Sequence, residues 1–266
     1  MSDADAPPVL LDERGAVARV TLNRPRAGNA LALPLIEALT AAFAALAPRE
    51  DIKVIVVAGA GGRIFCAGHD LGELRRALDR ETPDEPYLAR DFAALTALMQ
   101  AIMAQPQIVI AEIEGVATAA GCELAAACDL ALAASNARFA VPGVNIGFWC
   151  HTPQVQLVRA VGAKQAMMML ATGRLFPATH ALEIGLVNAL YPTEELAAAV
   201  EALSAEIAAK PASVLRQGKA SFNRIAGRGI AEAYAIAREA AQAHILHPDA
   251  KEGITAFTEK RDPRWI

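Results

Sequence analysis

Hydrophobic and polar positions alternate in short blocks through the first half of the chain, and the blocks change period in a regular order. The stretch VLLDERGAVARVTLN, residues 9–23, has two β-rich runs around Glu13, Arg14 and Gly15 and predicts a hairpin. LPLIEALTAAFAALAP, residues 33–48, places apolar residues at helical spacing, with Pro34 in the first turn and Pro48 as the stop. IKVIVVAG, residues 52–59, is a continuous apolar, β-branched run bounded by charge and glycine, the pattern of a strand buried on both faces. A charged segment from Leu71 to about Tyr87 predicts a surface loop or broken helix. YLARDFAALTALMQAIMAQP predicts a long amphipathic helix ended by Pro106, and QIVIAEIEG a further strand. In TAAGCELAAACDLALA, residues 118–133, a helix is expected after Gly121, followed by strands in DLALAAS and ARFAVPG. This βαβα alternation predicts an α/β fold with a twisted, largely parallel sheet under helical cover.

From Thr152 onward the pattern turns helical almost throughout, the last helix beginning at an aspartate, Asp249, suited to cap it. No internal repeat or long linker interrupts the chain, so the helical tail is expected to pack on the core or on a neighbouring subunit.

Composition narrows the function classes. In 266 residues 54% are hydrophobic, enough for a sizeable core, and a net charge of −4 offers no general attraction to nucleic acid or an anionic membrane. The apolar runs are interrupted before they reach the roughly 18 residues of a membrane span, and MSDADAPPVLLDERG has acids and prolines where a signal peptide carries basic and apolar residues. Cys66, Cys122, Cys128 and Cys150 form no CxxC pair and sit in apolar surroundings, which predicts reduced thiols and a cytoplasmic protein. His180, His244 and His247 make no convincing metal site with nearby carboxylates, and Met167–Met169 fit core or subunit packing.

Two glycine-containing turns each follow a strand and precede a helix: FCAGHDL and GVATAAGCEL. Small residues there admit a ligand close to the backbone, and the free N–H groups of a helix start can donate to an anion or a polarised carbonyl. Neither turn is a GxGxxG or Walker loop, so no nucleotide cofactor is indicated. Glu123 follows the second turn inside an apolar tract, where a carboxylate is costly unless paired or put to use.

The chain resembles the crotonase superfamily, the enoyl-CoA hydratase/isomerase proteins, over nearly its whole length. The resemblance is carried by LNRPRAGNAL (22–31), IKVIVVAGAGGRIFCAGHDL (52–71), GVATAAGCELAAACDLALAA (115–134), ARFAVPGVNIG (137–147), ATGRLFPATHALEIGLVNAL (171–190) and EGITAFTEKRDP (252–263). It implies a crotonase-like spiral of ββα units over residues 1–195 and a C-terminal helical trimerisation region over 196–266, in a homotrimer or dimer of trimers. The substrate would be an acyl-CoA, with no separate cofactor and no metal. Its thioester oxygen would sit between the backbone N–H groups of His69 and Ala120. Glu123 would be the acid/base of a hydratase-like lyase. Arg26 and Arg63 would meet CoA phosphates, and Ala67, Asp70 and Leu71 would line the acyl and adenine region. Phe257 and Lys260 would reach CoA in a neighbouring subunit.

One position departs from the pattern: where the resemblance expects a second glutamate, after Pro142, the chain has Gly143. That leaves open a one-carboxylate isomerase, a thioesterase or decarboxylase using the same hole, or a non-catalytic acyl-CoA binding protein. His151, in GFWCHTP, is a candidate substitute for the missing proton-transfer group.

Overall fold

Apolar residues on both faces of one strand explain the layering. In a computed structural model that describes residues 6–266, the hairpin pairs β1 (Val9–Arg14) with β2 (Val17–Leu22), and β2 runs parallel to β3 (Val54–Gly59). Ile55 and Val57 of β3 face the main core, whereas Val54 and Val56 face a second apolar cluster on the other side of the sheet. Helix α1 (Leu33–Leu46) lies between β2 and β3 in the chain and buries Leu35, Ile36, Leu39 and Phe43 in the main core.

After β3 the chain repeats one unit. A strand in the larger sheet is followed by a three-residue strand in a smaller one: β3 by β4 (Ile64–Cys66), β5 (Ile108–Ile113) by β6 (Val116–Thr118), and β7 (Leu130–Ala134) by β8 (Arg138–Ala140). Helix α2 (Leu71–Leu78) follows β4, with α3 (Glu85–Ala104) behind it, and α4 (Ala120–Ala127) follows β6. The expected single sheet is therefore two, because the short strands branch into their own parallel pairings, β4 with β6 and β6 with β8. Three-residue strands have no period to read in the sequence: β8 lies within the expected strand ARFAVPG, whereas β4 and β6 fall at the glycine-rich turns, where the sequence shows only a turn.

Helices α5 (Pro153–Ala160), α6 (Ala163–Thr172) and α7 (Ala178–Glu183) come next. The reading of helix almost throughout this half misses two short strands. β9 (Phe176–Pro177) pairs antiparallel with β8 and β10 (Ala189–Tyr191) parallel with β7, each closing one edge of a sheet. Helix α8 (Thr193–Ala208) lays Leu196 and Val200 on Val54, Val56, Ile110 and Leu132, so the boundary drawn at 195/196 falls inside a helix that packs on the larger sheet.

Beyond it stand α9 (Ala212–Ile225), α10 (Ile230–His244) and α11 (Pro248–Glu259). No residue of α10 is buried, and Phe222, Ile230, Tyr234, Leu246 and Phe257 are exposed. The cap of α11 is His247, not Asp249: its imidazole accepts the Asp249 N–H at 3.2 Å. Asp249 lies two residues on, in the first turn, buried, where it accepts from Ser213 Oγ and from the Ile266 N–H. The charged segment 71–87 is the broken helix of the two alternatives, α2 and the start of α3 separated by Asp79–Asp84. The first five residues, part of the acidic N-terminal run, lie outside the described residues. Among the described residues no helix is long and apolar enough to cross a membrane.

Candidate functional site

The parallel pairing of β4 with β6 sets Cys66 opposite Ala117, so the turns that leave the two strands lie side by side. They are locked by missing side chains. A Cβ on Gly68, whose φ is +89°, would lie 2.8 Å from Ala119 Cβ and 2.9 Å from the Thr118 oxygen, and one on Gly121 would lie 2.1 Å from the Cys66 oxygen. Thr118 Oγ1 also donates to the Ala67 carbonyl at 3.0 Å.

Within the first turn Leu31 donates to the Gly68 oxygen and accepts from the Asp70 N–H, which leaves the His69 N–H between them unused. Within the second, Ala119 takes φ +50° and ψ −121°, a conformation costly for a side-chain-bearing residue, of order 1–3 kcal/mol. This kink frees the Ala120 N–H, the first of α4, from any helical partner. Neither N–H has an acceptor among the described residues. Two unpaired N–H groups on adjoining turns can polarise one carbonyl oxygen.

Both turns open on a cavity of about 420 Å³, walled mostly by apolar groups. Ala67, His69, Leu71, Ala120 and His151 line it, together with Phe92 and Phe148. The helix start of α4 continues to Glu123, one turn below Ala120 and 4% exposed. Its Oε2 has no hydrogen-bond partner, and burial pushes the carboxyl up to about 7 against a smaller opposing pull from the Thr152 hydroxyl. A carboxyl so placed exchanges a proton in either direction near neutral pH. Burial likewise raises the thiol of Cys122 to about 12 and that of Cys150 above its ordinary value, so neither is a ready nucleophile.

Gly143 is part of the cavity wall, and the space beside it is taken. A Cβ there would lie 2.1 Å from the Phe148 oxygen and 2.8 Å from Cys150 Sγ, and the Gly143 N–H donates to that sulfur at 3.3 Å. Loop 148–150 therefore excludes a side chain at 143, not merely a carboxylate.

The other sequence-selected residues lie elsewhere. Asp70 caps α2, accepting from the Gly72 and Glu73 N–H groups, and pairs with Arg24 at 3.0 Å; it does not line the cavity. Arg26 and Arg63 are exposed on neighbouring surface turns, where Gly61 packs on Pro25. Phe257 and Lys260, at the end of α11, are exposed and away from the cavity of their own chain. Sequence reasoning missed Asp91: it sits inside the charged half of a long amphipathic helix, yet is 1% exposed, with Oδ2 3.2 Å from His69 Nε2. Among the described residues no cluster of three His, Cys, Asp or Glu side chains could hold a metal.

A family model described as enoyl-CoA hydratase/isomerase matches residues 12–266. The mouse protein named enoyl-CoA hydratase domain-containing protein 3, mitochondrial, is 38% identical over 253 residues, 95% of this chain and 82% of that protein. A crotonyl-CoA hydratase of Syntrophomonas wolfei is 33% identical over 263 residues, covering 97% of each. Among solved structures, an enoyl-CoA hydratase of Mycobacterium smegmatis superposes with a TM-score of 0.93 at 44% identity, covering 98% of this chain and 99% of that one.

Proposed function

Because the chain belongs to the enoyl-CoA hydratase/isomerase family, we propose that it is an acyl-CoA enzyme that moves protons at the carbon next to a thioester, most directly in the hydration of an enoyl-CoA. The observation that carries this reading is the pair of unpaired N–H groups, His69 and Ala120, with a buried carboxyl one turn along α4 that burial raises to about 7. A thioester oxygen placed between the two N–H groups gains charge as an enolate forms, and fixed donors in an apolar cavity stabilise that charge without reorganising. Glu123 then exchanges the proton with Cα. Removal of such a group costs about 10²- to 10⁴-fold in rate.

A second reading, double-bond isomerisation, is favoured by Gly143. Isomerisation needs only one carboxyl, which removes a proton at one carbon and returns it at another, and the wall at 143 admits no second one. Arg26 and Arg63 are proposed to meet the CoA phosphates. Phe257 and Lys260 are proposed to reach the CoA of a neighbouring subunit in a trimer built on the exposed apolar faces of α9–α11. The unpaired cysteines suit a reducing compartment such as the cytosol.

The test is a mass-spectrometric screen of enoyl- and acyl-CoAs with the wild type and Glu123→Gln. Gain of water or a shifted double bond in the wild type, lost in the variant, supports the reading. Release of free CoA, or equal turnover by both proteins, overturns it.

A further inference from the structure

Hydration of an enoyl thioester needs two proton movements: one off water as its oxygen attacks Cβ, and one onto Cα. Glu123 supplies one group. We propose that His69, held by Asp91, supplies the other, so that one residue serves the reaction twice, through its main-chain N–H and through its imidazole. This rests on the acyl-CoA reading above and deepens it.

The pair is hard to explain as packing. Asp91 reaches inward from α3, 1% exposed, and Oδ2 has no hydrogen-bond donor among the described residues. A carboxylate stripped of water in this way is costly unless a partner faces it. The group that faces it is His69 Nε2, at 3.2 Å, close enough for an ion-pair contact though the geometry falls short of a hydrogen bond. Such contacts are often loose before a substrate is bound. Nε2 is sealed from solvent against Asp91, whereas Nδ1 is not sealed and makes no hydrogen bond, on a ring that lines the cavity. Phe92 stands edge-on to the imidazole at 5.2 Å between centroids and fixes its plane. A carboxylate on one ring nitrogen sets the tautomer and leaves the other nitrogen's lone pair for the substrate side.

The step balances without an added reagent. Nδ1 takes a proton from water as the water oxygen bonds to Cβ. The double-bond electrons move through Cα into the thioester carbonyl, whose oxygen is held by the His69 and Ala120 N–H groups. The neutral carboxyl of Glu123 gives its proton to Cα and the carbonyl re-forms. The proton on the imidazole returns through solvent to the Glu123 carboxylate, which resets both groups. One water adds across one double bond, and nothing is oxidised or reduced. Asp91 touches no substrate; it is a positioning residue.

The experiment compares two reactions of the whole protein: hydration of crotonyl-CoA, and exchange of the Cα protons of butyryl-CoA in D₂O, which needs the hole and Glu123 but no water attack. His69→Gln is expected to lose hydration by at least 100-fold, and Asp91→Asn, which touches no substrate, by 10- to 100-fold with exchange within about threefold of wild type. That split is one a merely structural defect would not produce. Hydration retained by His69→Gln overturns the proposal, as does loss of both reactions together, which would make the side chain a support of the pocket. Hydration retained by Asp91→Asn alone removes Asp91 from it. Exchange without hydration in the wild type overturns the water-activating role and leaves the acyl-CoA reading standing, whereas absence of both in the wild type overturns that reading itself.

Discussion

Replacing Glu123 by Gln removes a charge from a place that disfavours it. In the folded chain burial raises this carboxyl from 4.5 to about 7, whereas in the unfolded chain it titrates near 4.5. Between those two values the folded state holds the proton that the unfolded state has released, so stability falls as pH rises through the window. Each unit of difference corresponds to about 1.4 kcal/mol, and the integrated loss between pH 5 and pH 8 is about 2.5 kcal/mol. The Gln variant has no such titration. Urea unfolding of both proteins at pH 5, 6, 7 and 8, at one protein concentration so that subunit association cancels, should show the variant gaining about 2.5 kcal/mol on the wild type across the range. Any fixed cost of seating an amide beside Thr152 is the same at every pH and drops out. Parallel stability curves for the two proteins would refute the reasoning, because the carboxyl would then be solvated or paired in the folded state.

Other expectations follow from the turns. Gly68→Ala forces a side chain to within 2.8 Å of Ala119 Cβ at φ +89°, so it should lower the unfolding midpoint and reduce turnover at least 100-fold with the fold retained by circular dichroism. Ala119→Gly relaxes the kinked residue and should add about 1 kcal/mol in denaturant titration with activity within a few-fold of wild type. Gly143→Glu should not create a second carboxyl in the site. It should destabilise by about 2 kcal/mol or more, read as a lower urea midpoint, because the Phe148 oxygen stands 2.1 Å from the new Cβ.

Long periodic elements were legible in the sequence for a physical reason: α1, α3, β3 and β5 bury most of their apolar faces in one of the two clusters, so the pattern of burial is written in residue type. The two glycine turns and Glu123 were legible for another: small residues after a strand and a carboxylate in an apolar tract are local anomalies. What escaped depends on contacts distant in sequence. β4, β6, β9 and β10 are two or three residues long and exist because a partner strand is there. Asp91 looks like any charged residue near the start of a helix, and only the fold turns it inward toward His69, 22 positions earlier. The exclusion at Gly143 is set by the path of loop 148–150, which no residue type announces. His247 displaced Asp249 as the cap of α11 because the aspartate is drawn to Ser213 and to the chain end.

The central claim is that Glu123 moves a proton at the carbon beside a thioester held by the His69 and Ala120 N–H groups. Its most direct measurement is deuterium uptake at Cα of butyryl-CoA in D₂O, followed by mass spectrometry for the wild type and Glu123→Gln. The account predicts steady uptake by the wild type and uptake at least 100-fold slower in the variant, with the CoA ester bound equally by both. Equal uptake, or tight binding with no uptake by either protein, would contradict it.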